Sequence, residues 1–229
     1  MIVFYFVFMS TVILGVFAVL AFWLWSRIQP MRQRKIRSRL EHIRGRITAV
    51  HTLIPAERNI AYSEFPVIEA SASIEAWLLQ NQPKNALIAA MHAVKGEPEN
   101  GNAYLHLART LLYCNEIEGA RKALQRARSL GRSGAAADFL EARIKLQDAG
   151  ILKETGMLKT SDETLAILER LVDTVEQDPN FGDAAYHLGR LALAMGLKEE
   201  GRLLLEKVKP LMEASPERSG FTMDLSRLN

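Results

Sequence analysis

The side chains that most often perform catalysis or bind metal ions are few in this chain and far apart in the sequence. There are five histidines and one cysteine, Cys114. A single cysteine excludes an intramolecular disulfide and a four-thiolate metal site. The sequence contains no glycine-rich phosphate loop, no His-Glu-x-x-His, no Cys-x-x-Cys and no Gly-x-Ser-x-Gly. We therefore predict that the chain is not an enzyme, and that it has no catalytic residue, no cofactor and no metal site.

Charge is distributed unevenly along the chain. The 229 residues include 29 Lys and Arg against 26 Asp and Glu, a net charge of +3. Residues 1–26 contain no charged side chain, and residues 27–46 contain eight basic residues and one acidic residue. The remainder is therefore acidic overall, unlike a uniformly basic nucleic-acid-binding protein. We predict no specific nucleic-acid partner.

The apolar N-terminal segment has the length of a membrane-spanning helix. Between Ile2 and Trp25 only Ser10 and Thr11 are clearly polar. A helix of this length extends about 36 Å, and a bilayer core is roughly 30 Å thick. The alternatives are a buried helix, which is rarely apolar on every face, and a cleaved signal peptide, which needs a basic start and a small-x-small cleavage site. We predict a transmembrane anchor over residues 1–26.

Basic residues follow this segment directly, and the positive-inside rule then places the rest of the chain in the cytoplasm. The predicted localisation is a single-pass membrane protein with a cytoplasmic domain. The residues expected at the membrane surface are Arg27, Arg32, Arg34, Lys35, Arg37 and Arg39.

Residues 27–66 are predicted to form a basic juxtamembrane amphipathic helix and a linker, with Pro30 ending the first helix and Pro55 the second. The apolar residues from Ile36 to Ile54 recur at alternating spacings of four and three. Three interpretations stay open: the helix lies on anionic lipid, pairs with another helix or a second copy, or packs on the downstream domain. The expected partner of residues 1–46 is membrane lipid, and self-association is a further alternative.

From residue 67 onward, apolar residues have helical spacing and the pattern itself repeats after 34 residues. In the second helix of the first two units the matching residues are Ala86, Ala90 and Ala93, then Ala120, Leu124 and Ala127. The first helix of the second unit contains Tyr104, Leu107, Ala108 and Leu111. A late unit repeats this layout with Ala184, Ala185, Tyr186, Leu188 and Gly189. These residues resemble the tetratricopeptide repeat family. In such repeats small residues let paired helices approach, and larger residues fill the gaps between them.

The resemblance implies an all-α fold, with an α-solenoid of about four helical hairpins over residues 67–215. The units are expected at 67–100, 101–134, from 135, and 182–215. The second helix of the third unit is expected at about 162–177, after an insertion near 150–159. Residues 216–229 form a tail that either caps the stack or is loose.

In this family the first helix of each hairpin lines a groove that binds a polypeptide. The resemblance places ten residues of this chain there: Asn102, Leu105, His106, Arg109, Tyr113, Phe139, Arg143, Tyr186, His187 and Arg190. Arg109, Arg143 and Arg190 occupy equivalent positions in three units, whereas Glu75 occupies that position in the first. Guanidinium groups beside aromatic rings suit an acidic or apolar peptide segment. The alternative is that these arginines only solvate the wall of the groove.

The predicted function is a membrane-anchored protein–protein interaction scaffold or adaptor of the bacterial inner membrane. It would bind a protein partner in the groove and help to assemble or regulate a membrane complex. The alternative is a permanent structural accessory subunit of a large membrane assembly.

Overall fold

The computed structural model describes residues 2–57, 62–151, 158, 160–213 and 215–226. Throughout these ranges the regular structure is helical, in ten elements α1–α10. The predicted all-α class is therefore confirmed for this part of the chain. The chain divides into two compact units, Met1–His42 and Ile43–Asn229.

Helix α1 extends from Ile2 to Leu53 without interruption. Pro30 does not end it, contrary to the prediction, whereas the helix does stop just before Pro55. The apolar N-terminal segment is thus not a separate helix, because the same helix continues through the basic residues 27–46.

No helix among the described residues has the combination of length and apolar character that crossing a membrane requires. The predictions of a transmembrane helix over residues 1–26 and of a single-pass inner-membrane localisation are therefore wrong. The apolar sequence suggested a separate helix that ends near residue 26. The structure instead continues the same helix through the basic residues to Leu53.

The residues predicted at a membrane surface lie on α1. Arg32, Arg34, Lys35 and Arg37 are exposed and Arg39 is half-buried, while the side chain of Arg27 lies outside the described part of the chain. Their placement at a membrane surface stays a prediction.

The second unit contains four successive helical hairpins joined by short connections, except in the third. They are α2 (Ser71–Leu79) with α3 (Pro83–Gly96), α4 (Gly101–Tyr113) with α5 (Ile117–Ser129), α6 (Ala135–Asp148) with α7 (Asp162–Gln177), and α8 (Gly182–Ala194) with α9 (Lys198–Met212). A last helix, α10, covers Arg218–Ser226. Each hairpin lies within the range predicted for one of the four units. The insertion predicted near 150–159 lies largely outside the described residues.

Small residues bring the helices of a hairpin close together, as the repeat pattern predicted. A Cβ atom on Gly189 would lie 2.9 Å from Cδ2 of Leu205, and one on Gly201 would lie 2.7 Å from Cγ of Leu193. Because neither glycine carries a side chain, α8 and α9 pack at a distance that larger residues would forbid.

The late start of α7 has a local cause. Ser161 is its N-cap: the Thr164 amide donates to Ser161 Oγ at 3.1 Å, and the Ser161 amide donates to Thr164 Oγ1 at 2.8 Å. This reciprocal capping satisfies two amides that a helix start leaves open. The helix begins at Asp162, as predicted.

The last turns of α1 belong to the repeat unit. Four aliphatic side chains there are buried: Ile43, Ile47, Val50 and Ile54. Arg46 Nη2 donates to Asp173 Oδ1 and Glu176 Oε2 of α7, both at 2.6 Å, and Arg44 pairs with Glu200 of α9. Of the three interpretations of the heptad pattern, packing on the downstream domain therefore describes residues 43–54.

Candidate functional site

The first helices of the last three hairpins carry the predicted groove arginines. We call the surface of α4, α6 and α8 that bears Arg109, Arg143 and Arg190 the arginine face. Arg109 and Arg143 are only 4% and 8% exposed, and the Arg190 side chain is 28% exposed. Buried guanidinium groups need partners, because an unpaired charge away from water is costly.

Arg109 obtains its partners from the chain itself. Its Nη1 donates to Glu75 of α2, and its Nη2 lies 3.9 Å from Oδ2 of Asp183. The guanidinium also stacks over the ring of Phe65, 4.4 Å from the ring centroid. Burial alone would lower the pKa of Arg109, but the Glu75 carboxylate raises it above its usual value. Arg109 is therefore protonated, and nearby carboxylates balance its positive charge.

Arg143 is paired with the C-terminal segment. Its Nη1 donates to Glu217 Oε1 at 2.6 Å and also to Nε2 of His187. Its guanidinium carbon lies 5.9 Å from the ring centroids of both Phe139 and Tyr113. Although burial opposes it, the Arg143 charge holds the pKa of Glu217 well below the usual range. Glu217 is therefore an ionised carboxylate at neutral pH.

The two equivalent histidines are neutral hydrogen-bonding groups. Burial, together with the charge of Arg143, lowers the pKa of His187 to about 4. Burial likewise lowers the pKa of His106, whose Nε2 donates to the Pro66 carbonyl at 2.8 Å. Among the described residues, no three potential His, Cys, Asp or Glu ligands converge on one point. These histidines position neighbouring groups.

Arg190 meets the far end of the C-terminal segment. Its Nε lies 2.8 Å from Asp224 Oδ2, and the Tyr186 hydroxyl donates to the same oxygen at 2.8 Å. Phe221 packs edge-on against Tyr186, with the ring centroids 5.6 Å apart. Helix α10 therefore lies on the α8 side of the arginine face.

The segment that leads into α2 contacts the other side. Phe65 is buried and packs edge-on against Phe181 at a centroid distance of 5.7 Å. The Asp183 amide donates to Glu64 Oε1 at 3.1 Å, and the Tyr62 hydroxyl donates to Asp178. Burial raises the pKa of Asp183, and burial beside Asp183 raises that of Glu64. Residues 62–66 thus pass between the repeats as a bound segment.

Aromatic rings connect these contacts into one row. Neighbouring centroids are 4.8–5.9 Å apart along the series His106, Phe65, Phe181, Phe139, His187, Tyr186 and Phe221. The chain's own residues 62–66 and 215–224 supply acidic and apolar side chains of the kind that the sequence led us to expect from another polypeptide.

Two further predicted site residues lie on α4. Asn102 is half-buried near its start, where its amide donates to Asn100 Oδ1 at 3.0 Å, and Leu105 is buried. The structure brings the other eight predicted residues into the ion pairs and ring contacts described above.

The sequence did not predict which acidic residues contact the arginine face. They are Glu64, Glu75, Asp183, Glu217 and Asp224. One signal was available, because Glu75 precedes Arg109 by one 34-residue repeat. Equivalent positions in consecutive hairpins are neighbours along the stack, so opposite charges there predict an ion pair. Glu217, Phe221 and Asp224 are spaced by four and three residues, which places them on one face of a helix.

No model of a protein family matches the chain, and no curated protein matches it. Two solved structures titled as crystal structures of MamA are similar to it. One is 17% identical with a TM-score of 0.39, over 72% of this chain and 92% of the other. The second is 18% identical with a TM-score of 0.37, over 69% and 85%. At these values the similarity assigns no family, and the tetratricopeptide-like helical repeat rests on the four hairpins themselves.

Proposed function

We propose that the chain is a protein–protein interaction scaffold whose arginine face binds an acidic segment of a partner protein. The observation that carries this proposal is the chemistry already present on that face. Glu217 and Asp224 pair with Arg143 and Arg190, and Phe221 packs beside them on Tyr186. A guanidinium group can donate its paired hydrogen bonds to a carboxylate of any chain that presents it in the same geometry.

A binding role is favoured over catalysis by the state of the polar groups. His187 accepts a hydrogen bond from Arg143, and burial keeps it neutral far below physiological pH. A general base works best with a pKa near the working pH. The acidic and basic groups of this face neutralise each other instead of being held ready for proton transfer.

A permanent accessory subunit of a larger assembly is the second candidate function. Ile88 and Met91 lie one turn apart on α3 and are 55% and 56% exposed. Exposed apolar side chains on one helix face suit a stable protein interface. Stoichiometric co-purification with a partner that crosslinks from position 91 would favour this function.

The test of the scaffold proposal must leave Arg109 and Arg143 in place, because reversing a buried, paired charge would damage the fold. A photoreactive residue replaces Arg190 in the full chain, expressed in its own cells. The control carries it at Glu118, an exposed position on α5. We expect position 190 to crosslink to an acidic segment of a partner protein and position 118 not to. Equal capture at both positions, or no protein adduct at 190, would contradict the proposal.

A further inference from the structure

Helix α10 buries fewer side chains than the last turns of α1, which also complete the repeat unit. Among residues 216–226, Phe221 is the one buried side chain, and Met223 is 58% exposed. Residues 43–54, by contrast, bury four aliphatic side chains against the repeats. Ser215, just before α10, donates from its hydroxyl to Asp183 Oδ1. The helix is therefore attached through a few specific contacts and has little core of its own.

Those contacts come from a single face of the helix. Glu217 immediately precedes α10, and the Phe221 amide donates to its carbonyl at 3.0 Å, so Glu217, Phe221 and Asp224 lie along one side at spacings of four and three. Between the two acids the helix rises by about 10 Å. A Cβ atom on Gly220 would lie 3.3 Å from the Tyr186 hydroxyl oxygen, so the glycine lets the backbone approach α8 closely.

The surface beneath α10 cannot be left empty without cost. Arg143 is 8% exposed, and the carboxylates at hydrogen-bonding distance from it and from Arg190 are those of Glu217 and Asp224. If α10 left alone, two guanidinium groups would lose these partners, and Tyr186 would lose both its acceptor and its edge-on ring. The occupant that replaces α10 must therefore bring two carboxylates and an aromatic ring in the same order.

We propose that residues 215–226 are a resident ligand of the arginine face, and that the partner is an acidic amphipathic helix that takes their place. Its recognition pattern is acidic–x₃–aromatic–x₂–acidic, the pattern of Glu217, Phe221 and Asp224. The proposal rests on the proposed function, because it names the class of partner and the internal competitor for the same face. Charge complementarity with Arg143 and Arg190 selects an acidic helix.

The exchange is confined to the α8 side of the face. Residues 62–66 are tied on one side to the buried turns of α1 and on the other to α2, which starts at Ser71. Phe65 is 1% exposed beneath Arg109. Displacing this segment would expose a core aromatic ring, so it remains part of the wall against which the partner helix lies.

The test uses the full chain and a synthetic, fluorescein-labelled peptide of residues 213–229. A matched peptide carries Glu217→Gln, Phe221→Ala and Asp224→Asn. A second full chain carries the same three substitutions, which erase the resident face. Fluorescence anisotropy measures the binding of each peptide to each chain. We expect the native peptide to bind the substituted chain more than about tenfold tighter than the intact chain, because the resident helix no longer competes. The matched peptide should bind neither chain.

A second measurement avoids dependence on the folding of the substituted chain. Amide hydrogen exchange of the intact chain is followed with excess native peptide or excess matched peptide. The native peptide should accelerate exchange at residues 218–226 and leave α8 protected, and the matched peptide should change neither. Equal affinity of both peptides, or unchanged exchange at α10 under saturating native peptide, would overturn the inference.

The outcomes separate this inference from the proposed function. If position 190 crosslinks to a partner in cells but the native peptide neither binds nor releases α10, the scaffold stands and the acidic-helix pattern is wrong. If the peptide binds but position 190 captures no protein, residues 215–226 are a displaceable ligand of the face, and the scaffold proposal fails together with its partner helix.

Discussion

Arg109 shows how a side chain that looks like a binding group is also a structural one. It lies between Glu75 and Asp183 with its guanidinium over Phe65, and 4% of it is exposed. Removing it would leave acidic groups in a poorly solvated position without their counter-charge. Such losses are larger than those at exposed ion pairs, where water replaces the partner.

We predict that Arg109→Met lowers the free energy of unfolding by about 3–5 kcal/mol, the range for breaking a buried ion pair from one side. The matched control is Arg126→Gln, whose side chain is 45% exposed and pairs with Glu99 on the surface. Its effect should stay within about 0.5 kcal/mol. Urea unfolding followed by circular dichroism measures both. Similar losses in the two variants would show that Arg109 is not a structural cation.

His187 makes stability depend on pH in a defined direction. Its pKa is about 4 in the folded chain, against an ordinary value of 6.5. As pH falls below 6.5 the unfolded chain binds a proton that the folded chain does not bind until about pH 4. The stability contributed by His187 is therefore complete above pH 6.5 and is lost between 6.5 and 4. The loss amounts to about 3 kcal/mol at the low end.

The variant His187→Gln removes this titration, because glutamine still offers Arg143 an acceptor but binds no proton in this range. The raised pKa values of Asp183 and Glu64 act in the opposite direction, since folding then favours their protonated forms. They are present in both chains and cancel in the difference. Urea unfolding across this pH range should show the wild-type chain losing stability relative to the variant. Parallel pH profiles would contradict the assignment.

At the scale of elements, the last turns of α1 act as part of the repeat unit. Ile43, Ile47, Val50 and Ile54 are buried there, and Arg46 bridges to Asp173 and Glu176 of α7. Neighbouring hairpins of a solenoid usually cover each other. Here a helix from outside the hairpins covers part of α7 and α9 as well.

We predict that Ile47→Ala lowers the free energy of unfolding of the repeat unit by about 2–5 kcal/mol, the cost of truncating a fully buried aliphatic side chain. Thr48→Ala, at the next and exposed position, is the control and should change it by less than about 0.5 kcal/mol. Urea unfolding measures both. If Ile47→Ala were as mild as its control, the packing of residues 43–54 would not contribute to the stability of the unit.

The elements that the sequence predicted well share one property: their signal is local and periodic. The 34-residue repeat predicted four hairpins, and the second helix of the third unit was expected at about 162–177, where α7 lies. What the sequence did not reveal depends on contacts between distant residues. The residues around Phe65 in the sequence do not predict its contact with Phe181. Those around Glu217 do not predict its ion pair with Arg143.

The membrane prediction failed for a related reason. Hydropathy measures how apolar a stretch is, but it does not give the limits of the helix that contains the stretch. The structure extends α1 through Pro30 and the basic residues to Leu53. The same heptad that permitted a lipid-facing helix has its last residues, from Ile43 to Ile54, in the protein core.

At the scale of the whole repeat unit, residues 43–54 and 62–66 contact hairpins that ordinary solenoids keep apart. Their helical part contacts α7 and α9, Phe65 lies between Arg109 and Phe181, and the chain then enters α2. In a simple repeat array each unit touches its neighbours alone and the ends fray first. This connection instead couples the first hairpin to the last.

We predict that the repeat unit unfolds cooperatively. In native-state hydrogen exchange, the most protected amides of α4 and α8 should give the same opening free energy, because neither hairpin opens without the linking segment. Phe65→Ala, which removes a buried aromatic ring at the crossing point, should cost about 3–5 kcal/mol and make the two helices exchange independently. Unequal protection in the unaltered chain would indicate a nearest-neighbour array.

Residues 62–66 bridge a fixed interval, because Phe65 lies beneath Arg109 and beside His106 of α4 and also packs on Phe181, just before α8. Solenoids commonly evolve by duplicating or deleting a unit, because each new unit needs only a neighbour. An extra hairpin here would increase the distance between the two hairpins that this segment contacts. The segment would then have to become longer at the same time. The number of hairpins is therefore expected to be constrained by the length of that bridge, whereas side chains and loops are free to vary.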